Sequence, residues 1–529
     1  MHKEETLEEI QSFEGKYPKQ LWHLFFSEMW ERFCFYGMRG MLTFFMVHEL
    51  FMKEDHANLQ YGATQAFVYA FTFIGGLFAD KILGFRRSLF WGGLLMIAGS
   101  LILATDPHKF FFLGISVTVI GTGFFKPNIS TMVGQLYKDG DPRRDAGFSL
   151  FYTGINLGAL LGGYVCVAVG KGTLLGGVIP ENLRWNIAFG FAAVVMTISL
   201  ITFIFTKRHL GTIGLAPVRK QKNKVVDYGA IGNNPEQNPA TIVTEPIKNK
   251  TDWAMIAVYA GSLLAVPVIM KMVATPQYTD WFMYIIGPAT LIYLFYEMTK
   301  CTKAEVKKLS AALIFIVFSI VFWAFFEQSG GSLSLFAANN LNDTLLGFIP
   351  ADPNGVNNSA NALFVIIFAW MFGLGWLALA KKNKEPNTVV KFGLGFLFLG
   401  ASFLLLFATR FFQIVPGIAS LDMFTLAYLV MTFGELCLSP IGLSTMTKLS
   451  PARLQGMMMG MWFLASAYGQ YVAGLLGAGM AKANEDASLV EKLLTYTDGY
   501  KQLGYYAIIA GVLLIIISPL VKKLMQGVK

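Results

Sequence analysis

Apolar runs about as long as a bilayer is thick recur from end to end of this chain. Six fall at about 22–52, 60–80, 88–105, 110–136, 146–170 and 185–206. A polar, basic stretch of about 207–251 follows, with Lys220, Lys222 and Lys224. Two more runs lie at about 252–274 and 279–299, and six at about 310–338, 360–380, 389–409, 417–448, 454–481 and 502–521. About twenty apolar residues take a helix across the hydrocarbon core. The pattern therefore predicts an all-α polytopic membrane protein with about fourteen crossings, ordered six, two, six. The expected parts are a six-helix bundle over 1–206, a linker over 207–251, two extra helices over 252–299 and a second six-helix bundle over 300–529. Only 14% of residues are charged, against about 25% in soluble proteins. The 53 glycines suit close helix packing in lipid.

The net charge is +9, but its placement speaks for topology and against a nucleic-acid surface. Lys81, Arg86 and Arg87 lie between runs, as do Lys138, Arg143 and Arg144, then Lys303, Lys307 and Lys308, then Lys381, Lys382, Lys384 and Lys391, and then Lys448 and Arg453. All fall on one side of the membrane if both termini are cytoplasmic. The stretch from Asp343 to Ser359, expected on the other side, has neither Lys nor Arg. The polar first twenty residues predict no signal peptide. Cys34, Cys166, Cys301 and Cys437 have no metal or redox spacing and read as packing residues.

Some charges sit inside the runs. Glu28, Glu31, Arg32 and Arg39 all stand in the first. At 100° per residue they share an arc of roughly 140° with Phe35 and Tyr36. A charge at the bilayer centre costs at least about 2.5–3.5 kcal/mol on insertion scales, so this face must turn toward protein or a water-filled cavity. Lys126 precedes Pro127 within the fourth run; it reads either as a cation for a bound carboxylate or as half of a buried ion pair. Tyr152 and Asn156, at i and i+4, offer a hydroxyl and an amide to a ligand or to a neighbouring helix. Trp323, Phe326 and Glu327 give the seventh run an aromatic floor and a carboxylate, just before Gly330-Gly331. Glu435 and Ser439 repeat the arrangement before Pro440. Tyr69 and Asn361 are equally readable as packing or capping.

These groups come from both six-run halves, which predicts a polar cavity between them near the midplane. Mixed signs suit a zwitterionic solute and leave carboxylates to carry protons. The chain has no phosphate loop, HExxH or nucleophile elbow and no soluble stretch of domain size for a nucleotide-binding unit. That excludes an enzyme or ATP-driven pump and predicts a secondary transporter without cofactor or metal.

At these residues the chain resembles the proton-coupled oligopeptide transporter family of the major facilitator superfamily, in its bacterial form. The resemblance is carried by the ExxERF segment Glu28–Phe33, by Gly121–Gln135 around Lys126-Pro127-Asn128, by Phe151–Gly158, and by Gly434-Glu435 with Ser439-Pro440. Gly75-Gly76, Asp80, Gly84 and Arg86-Arg87 are similar to the superfamily's loop between spans 2 and 3. The chain departs from the family at Phe35, where many members have tyrosine, and at Phe326, where some carry a second acid. The resemblance implies import of di- and tripeptides with protons, by alternating access, as a monomer in the bacterial cytoplasmic (inner) membrane. It implies that Glu435, Asn156 and Asn361 hold the peptide amino terminus, while Arg32, Arg39 and Lys126 face its carboxylate. Tyr36, Tyr69, Tyr152, Trp323, Phe326 and Ser439 would line pockets. Glu28, Glu31, Arg32 and Glu327 would serve proton coupling, with Arg39–Glu327 and Lys126–Glu435 as gate pairs. Two rivals stand beside this reading: a proton-coupled carrier of another small solute, such as nitrate or an amino-acid-like compound, and a membrane peptide sensor that does not translocate.

Overall fold

A computed structural model describes residues 6–138, 141, 143–216, 253–438, 442–481 and 487–528. The helices of the first half are a short α1 (Leu7–Gln11), α2 (Lys19–His48), α3 (Glu54–Phe78), α4 (Phe85–Thr105), α5 (Pro107–Gln135), α6 (Arg143–Lys171) and α7 (Arg184–Thr206). A hairpin of α8 (Trp253–Ala274) and α9 (Pro276–Met298) follows. The second half has α10 (Lys303–Phe326), α11 (Ser332–Asn340), α12 (Pro353–Lys381), α13 (Thr388–Ala408), α14 (Leu421–Leu438), α15 (Gly442–Leu449), α16 (Gln455–Ala481) and α17 (Leu489–Leu524). Among the described residues the only strands are two small hairpins in loops, β1 (Thr344–Leu345) with β2 (Ile349–Pro350), and β3 (Gln413–Val415) with β4 (Ile418–Ala419). Eleven helical stretches are long and apolar enough to cross a membrane. The helices α2, α9 and α16 are not among them, although they run for 30, 23 and 27 residues. Their polar side chains, such as the five charges of α2, lower their apolarity.

Two large hydrophobic cores form, with a small third cluster of Ala66, Met283, Ala467 and Tyr471. One draws on residues from Ile10 to Val273, the other on residues from Leu294 to Met525. They meet chiefly where α3 packs on α16 and α6 on α12. The first of these seams is close because glycine faces glycine: a Cβ on Gly62 would stand 2.7 Å from the Gly474 Cα, inside contact distance. The hairpin α8–α9 lies against α3 and α5 on one side and α10 and α16 on the other.

Helices extend past the apolar runs where caps support them. The last begins at Leu489, started by a capping box of Ser488 and Glu491, which satisfies amide groups that otherwise lack partners. The fourth run stays helical through Pro127. Proline supplies no N–H to the Gly123 carbonyl one turn earlier, and Gly75 of α3 backs directly onto that carbonyl. Pro440 lies outside the described residues. The seventh run breaks: α10 passes into a 3-10 turn, Glu327–Gly330, before α11. Gln328 locks the break, its Nε2 donating to the carbonyls of Ala324 at 3.0 Å and Ala473 at 3.1 Å.

Candidate functional site

The charged face of α2 divides into two groups. Glu28, Glu31 and Arg32 are buried together, at 2%, 0% and 1% exposure. Arg32 Nε lies 3.2 Å from Glu28, and the guanidinium also bonds Glu31. Arg32 lines neither described cavity; the carboxylates of Glu28 and Glu31 on its own helix hold its guanidinium. The Arg32 guanidinium also lies 5.2 Å from the centre of the Phe35 ring.

Two turns along, Arg39 reaches the other half. It pairs with Glu327, donates to Ser329 Oγ at 3.3 Å, and donates from Nε to Tyr61 Oη at 2.6 Å. Thr43 of α2 donates to the Gly330 carbonyl of the same turn. A methyl group on Gly330 would overlap the Tyr61 ring, so glycine is what lets Tyr61 reach Arg39.

A cavity of about 120 Å³ lies beside this pair. Tyr36, Arg39, Tyr69, Trp323, Phe326, Glu327, Asn361 and Glu435 line it, all of them singled out from sequence. Glu435 accepts from Asn361 Nδ2 at 2.8 Å and from Tyr152 Oη at 3.4 Å. Asn156 Nδ2 donates to the Tyr152 carbonyl at 2.9 Å, bracing the helix turn that presents Tyr152. Ser439 lies outside the described residues.

Lys126 stands apart from Glu435. Its Nζ sits 4.3 Å from the centre of the Tyr69 ring and 5.9 Å from that of Phe35. The expected Lys126–Glu435 ion pair is not formed. The reason is the shape of the molecule at this level: Lys126 lines a second, larger cavity of about 1290 Å³, bounded by both halves through Thr72, Arg144 and Phe148 on one side and Met459 and Phe463 on the other. This cavity opens at the end of the bundle that carries Leu7, Lys138 and Arg144. The opposite end is tied shut. There Lys171 of α6 pairs with Asp352 at 2.7 Å, and Glu54 of α3 accepts from Lys492 at 3.0 Å and Tyr496 at 2.5 Å.

Sequence reasoning missed five cavity residues: Ser329, Asn357, Asn358, Tyr428 and Met431. A signal was present. Asn354, Asn357, Asn358 and Asn361 recur at helical spacing at the start of α12, and such a polar stripe entering a membrane helix needs partners inside the protein.

A family model described as PTR2, POT family, matches residues 86–493. The peptide transporter YePEPT of Yersinia enterocolitica is 34% identical over 482 residues, covering 89% of this chain and 89% of that protein. A di-/tripeptide transporter of Lactococcus lactis subsp. cremoris is 31% identical over 532 residues, covering 97% of each. Among solved structures, a peptide transporter POT in complex with sulfate superimposes with a TM-score of 0.74 at 31% identity, over 98% of both chains. A POT family transporter in complex with a thioalcohol-conjugated peptide gives 0.75 at 27% identity, over 97% of this chain and 99% of that one.

Proposed function

The chain belongs to the POT family, and from that premise we propose that it imports di- and tripeptides together with protons, by alternating access of the cavity between its halves. It is a multi-pass membrane protein and a secondary transporter, not an enzyme. The observation that carries the peptide reading is a single cavity in which Arg39 and the carboxylates Glu327 and Glu435 converge from both halves, with the cation Lys126 bordering the neighbouring vestibule. A zwitterionic peptide matches both signs. Its ammonium group takes Glu435 in place of the donor groups now on it, and the oxygens of Asn361, Tyr152 and Asn156 accept from it as well. Its carboxylate takes Lys126 and Arg39. Tyr36, Tyr69, Trp323, Phe326 and Ser439 bound the side-chain pockets.

Buried charge without a partner is costly. The proposed cycle therefore exchanges one pairing for another. The Arg39–Glu327 pair closes one end, Lys126–Glu435 closes the other in the alternate state, and protonation within the Glu28, Glu31, Arg32 and Glu327 group releases them. Peptide and proton bias a two-state rocking of the halves. The proton gradient supplies direction without a cofactor. In this reading α2, α9 and α16 also cross, giving fourteen spans as bundles 1–206 and 300–529, a linker 207–251 and the extra pair 252–299. The basic loops and both termini face the cytoplasm, the membrane is a bacterial inner membrane, and the monomer suffices.

Labelled dialanine uptake into proteoliposomes with an inward pH gradient tests this. Accumulation abolished by a protonophore is expected; correctly inserted protein that gives no more uptake than empty liposomes would sink the proposal. For the site, Glu435→Gln should weaken free dialanine at least ten-fold and N-acetyl-dialanine little. An unchanged ratio between the two would remove Glu435 from the ammonium site.

A further inference from the structure

The turn that carries Glu327 and the carboxylate of Glu435 are joined by a run of hydrogen bonds that passes through the Tyr428 residue from its hydroxyl to its carbonyl. Asn357 Nδ2 donates to the Ser329 carbonyl at 2.7 Å. Its Oδ1 accepts from Tyr428 Oη at 2.6 Å. One helical turn further along α14, Thr432 Oγ1 donates to the Tyr428 carbonyl at 2.8 Å. Asn361 Nδ2 then donates both to Thr432 Oγ1, at 3.1 Å, and to Glu435 Oε2, at 2.8 Å. At the far end, Arg39 bonds both Glu327 and Ser329.

The central link is buried and specific. Asn357 and Tyr428 are each 1% exposed. The amide of Asn357 is used at both ends, donor to a carbonyl and acceptor from a hydroxyl. Among side chains of this size, aspartate lacks the donor and leucine lacks both groups. Tyr428 and Glu435 lie two turns apart on one face of α14, so a shift of that helix moves both.

We propose that Asn357 and Tyr428 are positioning residues that tie the Arg39–Glu327 gate to the occupancy of Glu435. The proposal rests on the reading of Glu435 as the ammonium site. A peptide ammonium that takes Glu435 competes with Asn361 for the carboxylate. Asn361 also holds Thr432, and through it the α14 turn of Tyr428, so the rearrangement reaches the Ser329 carbonyl through Asn357. Site and gate then respond together, as a ligand with unequal affinity for two states requires.

Contiguity is not coupling, so the test is a double-mutant cycle on the full-length protein in nanodiscs. Dialanine affinity is measured for wild type, Tyr428→Phe, Glu327→Gln and the double variant. Tyr428→Phe removes one hydroxyl and keeps the ring. It is expected to weaken dialanine about three- to ten-fold and N-acetyl-dialanine less than two-fold. On the Glu327→Gln background it should add less than a two-fold further loss. Asn357→Ala should reproduce the pattern, which guards against a defect peculiar to one variant. The proposal is overturned if the two losses simply multiply, or if Tyr428→Phe weakens free and acetylated peptides alike. Failure of the ammonium reading shows separately, as a wild type that binds both peptides equally, and the cycle then still decides whether gate and α14 are tied.

Discussion

Arg39 occupies a position where few alternatives would serve. Its guanidinium meets Glu327, Ser329 and Tyr61 at once, and its side chain is only 11% exposed. Breaking a buried pair by removing one partner costs about 3–5 kcal/mol, because the remaining charge is stranded. Glu327→Gln is therefore expected to reduce dialanine uptake at least ten-fold and to open this end of the molecule; wild-type reactivity of thiol probes placed at that end would contradict it. Phe35 makes a subtler case. Its ring lies between two cations, Arg32 at 5.2 Å and Lys126 at 5.9 Å. Phe35→Leu keeps the apolar bulk and removes the π face, a loss of about 0.5–2 kcal/mol. A KM for dialanine raised several-fold is the expected result, and an unchanged KM would reduce Phe35 to packing. The residues legible in the sequence were the expensive ones: charges in apolar runs announce themselves by their cost. Arg32 and Lys126 show the limit. Sequence marks both as cations needing partners, but it does not show that carboxylates on the same helix meet Arg32 or that Lys126 sits over the Tyr69 ring. Asn357 and Tyr428 went unread because an amide near a helix start and an aromatic in an apolar run each have ordinary explanations.

At the scale of elements, the apolar runs located the helices and left their polar ends unread, and those ends tie the halves together. Lys171 ends α6 and bonds Asp352 at 2.7 Å and Asn354 Oδ1 at 3.1 Å. Asp352 also caps α12 by accepting from the Gly355 amide at 2.8 Å, so replacing it would confound a lost tie with a lost cap, itself worth about 1 kcal/mol. Lys171→Gln removes the tie alone. Hydrogen bonds to charged groups contribute about 1.5–3 kcal/mol, so the ratio of closed to open at this end should fall at least ten-fold. Spin-label distances across that end would report it, and an unshifted distribution would show the tie to be idle. The segment before α2 is held at the other end. Gln11 Nε2 donates to the carbonyls of Gln135 and Tyr137 at the end of α5, and Arg143 donates to those of Phe13 and Gly15. Asp141 orients Arg143, and the hydrogen bond from that guanidinium holds the Asp141 carboxyl below its usual range. A carboxyl depressed in the folded state contributes stability that is fully present above its unfolded pKa, about 3.9, and is lost as pH falls through the folded value. Amide-exchange protection of residues 10–17 should thus stay level from pH 8 to pH 5. Loss of protection near pH 6 would place a different titrating group under this segment.

For the whole molecule, the decisive quantity is the charge that crosses with each peptide. Dialanine is a zwitterion of zero net charge near neutral pH, so any current belongs to the coupling ions. Buried carboxylates stand on both halves, Glu28 and Glu31 with Arg32 on α2, and Glu327 and Glu435 on the second half; in the proposed cycle these carry the protons. In the proposed cycle, rocking of the halves moves these carboxylates relative to the membrane field. Each elementary charge moved inward through 100 mV adds about 2.3 kcal/mol, equivalent to about a fifty-fold change in the limiting accumulation ratio per proton. At equal pH on both sides, an interior-negative potassium diffusion potential of about 100 mV should therefore drive dialanine accumulation by roughly that factor for one proton, and by its square for two. Reversing the potential should empty preloaded vesicles. Accumulation that responds to a pH gradient and ignores voltage would mean that a compensating charge moves with the proton, and the pairing of carboxylates with Arg32 and Arg39 would then need to be redrawn as a charge-conserving exchange.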